Sequence, residues 1–172
     1  MKTEKTTKMN TYLSFVLDSE VFATDVKYVL EILENRPVTK VPRTPDYIRG
    51  VINLRGSVLP VVDLRTIFNL PLKKEDKDTI IVVLSVDMNG ERITLGGLVD
   101  SVSEVMEINE ATIEPPPSIG SSYKAKFIEG MLKKEEDFIM LLDVDKIFSD
   151  QELSAVMDSK VQAPDAKEKD AD

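Results

Sequence analysis

The sequence predicts a mainly β protein that contains two similar five-stranded units. Three observations favour this fold class: the apolar runs have the length of strands, turn residues separate them, and the chain resembles itself. The longest run, "TIIVVLSV" at residues 79–86, is far shorter than a membrane-spanning helix. Asn89-Gly90 lies between two apolar runs and is typical of a tight β-hairpin turn.

The internal repeat is the strongest indication of the architecture. Residues 48–68 align with residues 128–148 at an offset of 80 without a gap, and a second match lays "DVKYVLEILE" over "VDSVSEVMEI" at an offset of 73. The same order of segments appears twice, which indicates a duplicated unit. We therefore predict two small barrels side by side, the first over roughly 11–70 and the second over roughly 79–148. The identical pairs in the longer match are Ile48/Ile128, Gly50/Gly130, Asp63/Asp143, Ile67/Ile147 and Phe68/Phe148.

The remaining segments fit this pattern in chain order. "TYLSFVLDSEVFAT" predicts two strands around the turn at Asp18-Ser19-Glu20. "DVKYVLEILEN" allows either an amphipathic helix or one helical turn followed by a strand. "VTKVPRTPDYIRG" contains Pro42 and Pro45 and is expected to be an extended connector. "EPPPSIGSSYKAK" is expected to be a long loop.

The two ends differ in composition from the rest of the chain. Residues 1–10 are polar and predict a disordered N-terminus. Residues 149–172 predict a short helix followed by an acidic disordered tail. The folded domain is therefore expected over 11–148.

Composition excludes several kinds of chemistry. The chain has no Cys and no His, so it offers no thiol nucleophile, no zinc–thiolate site, no histidine base and no phosphohistidine. Its net charge of −9 argues against binding a nucleic acid backbone. The first ten residues lack an apolar signal core, which predicts a soluble cytoplasmic protein. We also expect no cofactor and no metal. A carboxylate-dependent enzyme stays open as an alternative.

Asp63 and Asp143 end equivalent apolar runs and could have either of two roles. An aspartate after such a run could be the phosphoacceptor of a receiver domain, but a receiver needs full-length helices between its strands. The intervening segments are too short and too rich in proline for such helices. Because both copies carry the aspartate, we predict that each one caps a short helical turn.

The hairpin tip "NLRGS" occurs in the first copy only, since the second copy has "KKEED" at this place. Arg55 in this tip has no evident role in a core. It is either an ordinary surface charge or an arginine that contacts a partner protein, a residue type enriched at interface hot spots.

The segment "IRGVINLRGSVLPVVDLR", together with the doubled β pattern, resembles the CheW family of coupling proteins of bacterial chemotaxis. "DVKYVLEI", "VPRTPDYIRG", "LVDSVSEVMEI", "IEPPP" and "FIMLLDVDKIF" match the family in order and spacing, so the resemblance covers about residues 11–148. It implies two five-stranded SH3-like barrels with short helical turns and a short C-terminal helix.

The resemblance also implies a function. Proteins of this family are non-enzymatic adaptors that join the cytoplasmic tip helices of chemoreceptors, the methyl-accepting chemotaxis proteins, to the regulatory domain of the histidine kinase CheA. They act in signalling arrays at the membrane without inserting into it. Related folds occur in the kinase itself and in CheV, but this chain is expected to be the free-standing coupling protein. A scaffold of another two-component or motility pathway is the alternative.

The resemblance places the receptor in an apolar groove between the barrels and the kinase on barrel ends. The matching positions that face the receptor are Val26, Val29, Glu31, Ile32, Thr39, Gly50, Arg55 and Gly56. The equivalent segment of the second half adds Val99 and Val102 as further partner contacts. Each aliphatic residue among them could instead belong to the core.

Overall fold

The computed structural model describes residues 8–34, 36–71, 74, 76–115 and 127–149. The described strands are β1 (Met9–Leu17), β2 (Glu20–Asp25), β3 (Val29–Glu34), β4 (Ile48–Leu54), β5 (Ser57–Asp63), β6 (Ile80–Met88), β7 (Glu91–Val99), β8 (Ser101–Asn109), β9 (Ile128–Lys134) and β10 (Asp137–Leu142). The described helices are α1 (Leu64–Ile67) and α2 (Val144–Ser149), with 3-10 turns at Val26–Tyr28 and Glu110–Thr112.

The predicted fold class is confirmed. Sheet A has the order β8-β1-β2-β10-β9, and sheet B has the order β3-β6-β7-β5-β4. Each sheet surrounds an apolar interior of its own because alternate side chains of a strand point to opposite faces. The interior of sheet A contains Tyr12, Ala23, Ile108, Ile139 and Leu141. The interior of sheet B contains Leu33, Ile52, Leu59, Val61, Ile81, Val83 and Leu98.

The predicted boundary between the two barrels is wrong. Strands β1 and β2 complete the sheet of β8–β10, whereas β3–β7 form the other sheet. Two parallel pairings produce this exchange: β10 lies beside β2, and β5 lies beside β7. The repeat reveals which segments are equivalent, but the hairpins β1–β2 and β6–β7 are themselves equivalent. Either hairpin could therefore complete either sheet, and sequence alone does not distinguish the two arrangements.

The duplication also appears in the short helices. The Asp63 carboxylate accepts a hydrogen bond from the Arg65 amide at 2.9 Å, and the Asp143 carboxylate accepts one from the Lys146 amide at 3.1 Å. Both aspartates therefore cap the turns that follow them, as predicted. Arg49 donates to the second oxygen of Asp63 at 2.9 Å. In the described part of the chain the helices after these caps have four and six residues, so the receiver alternative is wrong.

A third apolar cluster lies between the sheets and holds them together. Three phenylalanines form its centre: the ring centroids of Phe22 and Phe68 are 5.3 Å apart, and those of Phe68 and Phe127 are 6.3 Å apart. Phe68 is 1% exposed. Such aromatic contacts contribute beyond the burial of area.

The ends are described in part. Met9 pairs with Asn109 of β8, so the prediction of disorder is wrong for residues 9 and 10. Residues 1–7 and 150–172 lie outside the described residues, as do the predicted acidic tail and most of the helix predicted over 149–172. The described C-terminal helix is α2, which ends at Ser149.

Candidate partner-binding surface

Strand β3 presents an apolar face to the outside of sheet B. The segment before β3 forms a single 3-10 turn. The Asp25 carboxylate caps this turn by accepting a hydrogen bond from the Lys27 amide at 2.9 Å. One helical turn followed by a strand is therefore the correct alternative for this segment. In β3 the side chains alternate: Leu33 is buried, whereas Leu30 and Ile32 are 55% and 45% exposed.

Three further apolar side chains continue this face towards the core between the sheets. Val26, Tyr28 and Val29 are half-buried and pack against that core. Ile32 pairs across the sheet with Val82, a buried member of the same core. We call the set Val26, Tyr28, Val29, Leu30 and Ile32 the β3 strip. It is an apolar surface, continuous with the core, that a partner could cover.

An ion pair lies at one side of the β3 strip. Arg55 and Gly56 have φ angles of 53° and 88° and form a two-residue hairpin turn between Leu54 and Ser57. Both terminal nitrogens of Arg55 donate to the Glu31 carboxylate at 2.8 Å, which is a bidentate contact. The hydrogen bond from Arg55 lowers the pKa of Glu31, and the same bond raises the pKa of Arg55. The Arg55 side chain is 69% exposed.

The second copy contains an equivalent ion pair that sequence comparison missed. Glu104 is the counterpart of Glu31 at an offset of 73, and it accepts a hydrogen bond from Lys134, beside the second hairpin tip. Lys134 lies one position before the residue that aligns with Arg55, so an ungapped alignment does not match the two cations. The pairing of a strand carboxylate with a cation near the tip is therefore a feature of both sheets. The exposed guanidinium of Arg55 distinguishes the ion pair of the first copy from that of the second.

Gly50 has a structural role that the sequence did not reveal. Thr39 forms two backbone hydrogen bonds with Val51, of 2.9 and 2.8 Å, alongside β4. Gly50 is buried with a φ of 145°, and a Cβ atom on it would lie 2.1 Å from the Thr39 carbonyl oxygen. Gly50 therefore admits the Thr39 segment and has no side chain to offer a partner. The predicted receptor contact at Gly50 is corrected to a packing role, whereas Thr39 itself is exposed.

The two second-half predictions have different outcomes. Val99 is 1% exposed in the core between the sheets, so the partner contact predicted for it is wrong. Val102 is half-buried against that core, as Val29 is. Sequence reasoning missed Leu30, which the alternation with Ile32 could have revealed, and Val58 near the hairpin tip, which is 49% exposed and had no sequence signal.

A cleft of about 630 Å³ lies beside α1, and its lining includes Asp63 and Arg49, which already form the cap and ion pair above. Among the described residues no group of three acidic, His or Cys side chains is placed to hold a metal ion. None of the helices in the described part of the chain is long and apolar enough to cross a membrane.

Comparison with known proteins decides the family. Residues 11–152 match the CheW-like domain. The chain belongs to the CheW-like domain family. It is 33% identical to the chemotaxis protein CheW of Klebsiella aerogenes over 145 residues, which cover 84% of this chain and 85% of that protein. It is 32% identical to the CheW of Bacillus subtilis, with 84% and 90% covered.

A solved structure supports the same assignment. The chain superposes on the scaffolding protein TtCheW from Thermoanaerobacter tengcongensis with a TM-score of 0.72 and 33% identity, covering 84% of this chain and 95% of that one. The predicted family and fold are confirmed, and the chain is a chemotaxis adaptor of the CheW type.

Proposed function

We propose that this adaptor is a non-enzymatic cytoplasmic protein that couples chemoreceptors to the histidine kinase CheA. One surface binds the cytoplasmic tip helix of a receptor, and another binds the regulatory domain of CheA. These two contacts recruit the protein to receptor arrays without membrane insertion. The observation that supports this proposal best is the β3 strip with the Glu31–Arg55 pair at its side.

The β3 strip has the properties that a partner helix requires. An amphipathic helix binds by placing its apolar face against a hydrophobic surface, and the strip offers exposed Leu30 and Ile32 next to half-buried Val26 and Val29. Charged groups at the rim determine the orientation and the specificity of such a complex more than its affinity. Arg55 is placed to serve this purpose, and Gly56 next to it and Thr39, which pairs with Val51 of β4, are exposed as well.

Adaptor function needs no reactive group. Asp63, the acid with the most suggestive sequence context, is 3% exposed and is engaged by the Arg65 amide and by Arg49. Coupling instead requires two binding surfaces on a frame that keeps their relation fixed. The large core between the two sheets holds the two halves of such a frame together.

Arg55→Glu is expected to weaken binding of a receptor tip fragment by about tenfold or more, as for an interface hot spot. The melting temperature is expected to change little, because the ion pair is exposed and exposed pairs contribute little to stability. Titration calorimetry with the fragment, together with a thermal melt, measures both quantities. A large fall in melting temperature with intact binding would contradict the partner role.

A charge exchange separates the internal pair from the partner contact. The double variant Glu31→Arg, Arg55→Glu restores an ion pair between the two positions but places the negative charge at the hairpin tip. If Arg55 meets a carboxylate of the receptor, the exchange leaves binding weak. If the charge exchange restores receptor binding fully, Arg55 serves only the internal ion pair with position 31, and our assignment of a partner contact is wrong.

A further inference from the structure

The chain passes between the two sheets twice, and the two crossings are built differently. The first crossing is the 3-10 turn Val26–Tyr28, which leads from β2 of sheet A to β3 of sheet B. The second crossing is Asp100 alone, which joins β7 of sheet B to β8 of sheet A. A short helix lies at each of them, α1 near Asp100 and α2 near Tyr28.

Arg65 of α1 binds the second crossing. Its Nε donates to Oδ1 of Asp100 at 2.7 Å and its Nη2 to Oδ2 at 2.5 Å, while Nη1 donates to the Pro71 carbonyl. The side chains of Arg65 and Asp100 are only 9% and 12% exposed. A bidentate pair of this kind is directional as well as strong.

The same cluster also holds the first hairpin of sheet A. The Asp18 amide, in the turn between β1 and β2, donates to Oδ2 of Asp100 at 2.8 Å. The Asp100 amide donates to the Val16 carbonyl at 3.0 Å, and the Asp18 carboxylate lies 3.8 Å from Arg65. The Arg65 guanidinium thus joins α1, which lies on the side of sheet B, to the β1–β2 turn of sheet A through Asp100.

The first crossing has a weaker counterpart of this arrangement. Asp145 of α2 occupies the position equivalent to Arg65 at an offset of 80. Its carboxylate accepts a hydrogen bond from the Asp87 amide at 2.9 Å. It also hydrogen-bonds Tyr28, and burial together with this acid raises the pKa of Tyr28 to about 12. No guanidinium takes part in these two contacts, so the buried bidentate pair belongs to the second crossing. Tyr28 itself belongs to the β3 strip.

We infer that Arg65 is a positioning residue: its pair with Asp100 fixes the relative orientation of the two sheets and thereby couples the receptor surface to the kinase surface. The apolar core between the sheets resists their separation, but hydrophobic contact is non-directional and does not define one orientation. The buried pair provides that direction. The coupling part of this inference rests on the proposed function, whereas the orientation part does not.

The test replaces the pair without leaving a buried charge. The double variant Arg65→Met, Asp100→Asn keeps the side-chain volumes similar. The asparagine oxygen can still accept a hydrogen bond from the Asp18 amide. Because the chain has no native Cys, Thr94→Cys in sheet B and Glu107→Cys in sheet A accept two spin labels selectively. Both positions are exposed and lie outside the β3 strip.

Dipolar spectroscopy then reports the distance between the sheets. We expect one narrow distance distribution for the labelled parent and a broader or shifted one for the double variant. The control is Ile139→Val or Ile139→Ala, whichever matches the variant's melting temperature, because Ile139 belongs to the interior of sheet A and not to the core between the sheets or to the Arg65–Asp100 cluster. The control is expected to keep the narrow distribution. An unchanged distribution in the double variant would overturn the orientation role.

A second measurement addresses coupling. The affinity for a receptor tip fragment is measured with and without saturating CheA regulatory domain, and we expect the ratio to differ from 1 by about fivefold or more in the parent. The ratio is expected to approach 1 in the double variant and to persist in the Ile139 control. A changed distance with an unchanged ratio would refute the coupling role. A parent that binds neither partner would refute the proposed function, while the distance measurement would still decide the orientation.

Discussion

Gly50→Ala is expected to destabilise the protein by about 3 kcal/mol or more, a lowering of the melting temperature by roughly 6–12 °C for a chain of this size. The added Cβ atom would lie 2.1 Å from the carbonyl oxygen of Thr39 and 2.7 Å from its carbonyl carbon. Both are backbone atoms, so relief requires the Thr39 segment to leave β4 and to lose its two hydrogen bonds to Val51. The φ of 145° adds strain for any residue with a side chain.

Two other glycines provide graded controls, measured by urea denaturation with the same protocol. Gly56→Ala meets nothing within 4 Å, and its φ of 88° should cost only about 1 kcal/mol. Gly130→Ala would meet a methyl group of Ile113 at 2.5 Å and the Glu114 carbonyl oxygen at 3.1 Å, a milder conflict with the backbone than at Gly50, so we expect an intermediate loss. If Gly50→Ala were no more destabilising than Gly56→Ala, Gly50 would not serve the close approach of Thr39.

Phe68→Ala is expected to cost about 3–5 kcal/mol in the free energy of unfolding. Phe68 is 1% exposed and packs between Phe22 of sheet A and Phe127, so its truncation leaves a cavity in the core between the sheets. Both sheets lose a shared contact, and unfolding should remain a single cooperative transition. Chemical denaturation followed by circular dichroism measures the loss.

The matched control is another phenylalanine on the surface. Phe138 is 46% exposed on β10, and Phe138→Ala should cost about 1 kcal/mol or less. Two separate transitions in Phe68→Ala, with one sheet retaining its parental stability, would show that the core does not join the sheets into one unit.

Local signals in the sequence predicted the strands and turns well. Asn89-Gly90 forms the turn between β6 and β7 with φ angles of 56° and 88°, as its residue types require. The duplication predicted the equivalence of Asp63 and Asp143, and both cap short helices. These features depend on residues close together in the chain, and for that reason local patterns are sufficient.

Long-range features were harder to predict. The exchange of hairpins between sheets depends on the parallel pairs β2–β10 and β5–β7, and no local pattern distinguishes them from the alternative. Val99 aligns with Val26, yet β7 ends at Val99 inside the core, because one residue replaces the 3-10 turn at that crossing. The Glu31–Arg55 pair joins β3 at one edge of sheet B to the turn after β4 at the other edge, so only the folded sheet brings the two residues together.

The central claim is that this adaptor joins a chemoreceptor tip to CheA through separate surfaces, with the β3 strip facing the receptor. Co-sedimentation of the full chain with receptor signalling fragments and CheA tests it most directly, with an unrelated histidine kinase to test the alternative of a different pathway. Ile32→Asp alters the strip, and Val105→Asp is the matched control, because Val105 lies at the equivalent position of β8 and is 62% exposed.

We expect the parent and Val105→Asp to bind the receptor fragment, and the parent to bring CheA but not the unrelated kinase into the pellet. Ile32→Asp should lose the receptor while keeping its melting temperature and its binding to CheA. Equal receptor binding by Ile32→Asp and the parent, or equal recruitment of both kinases, would contradict this account.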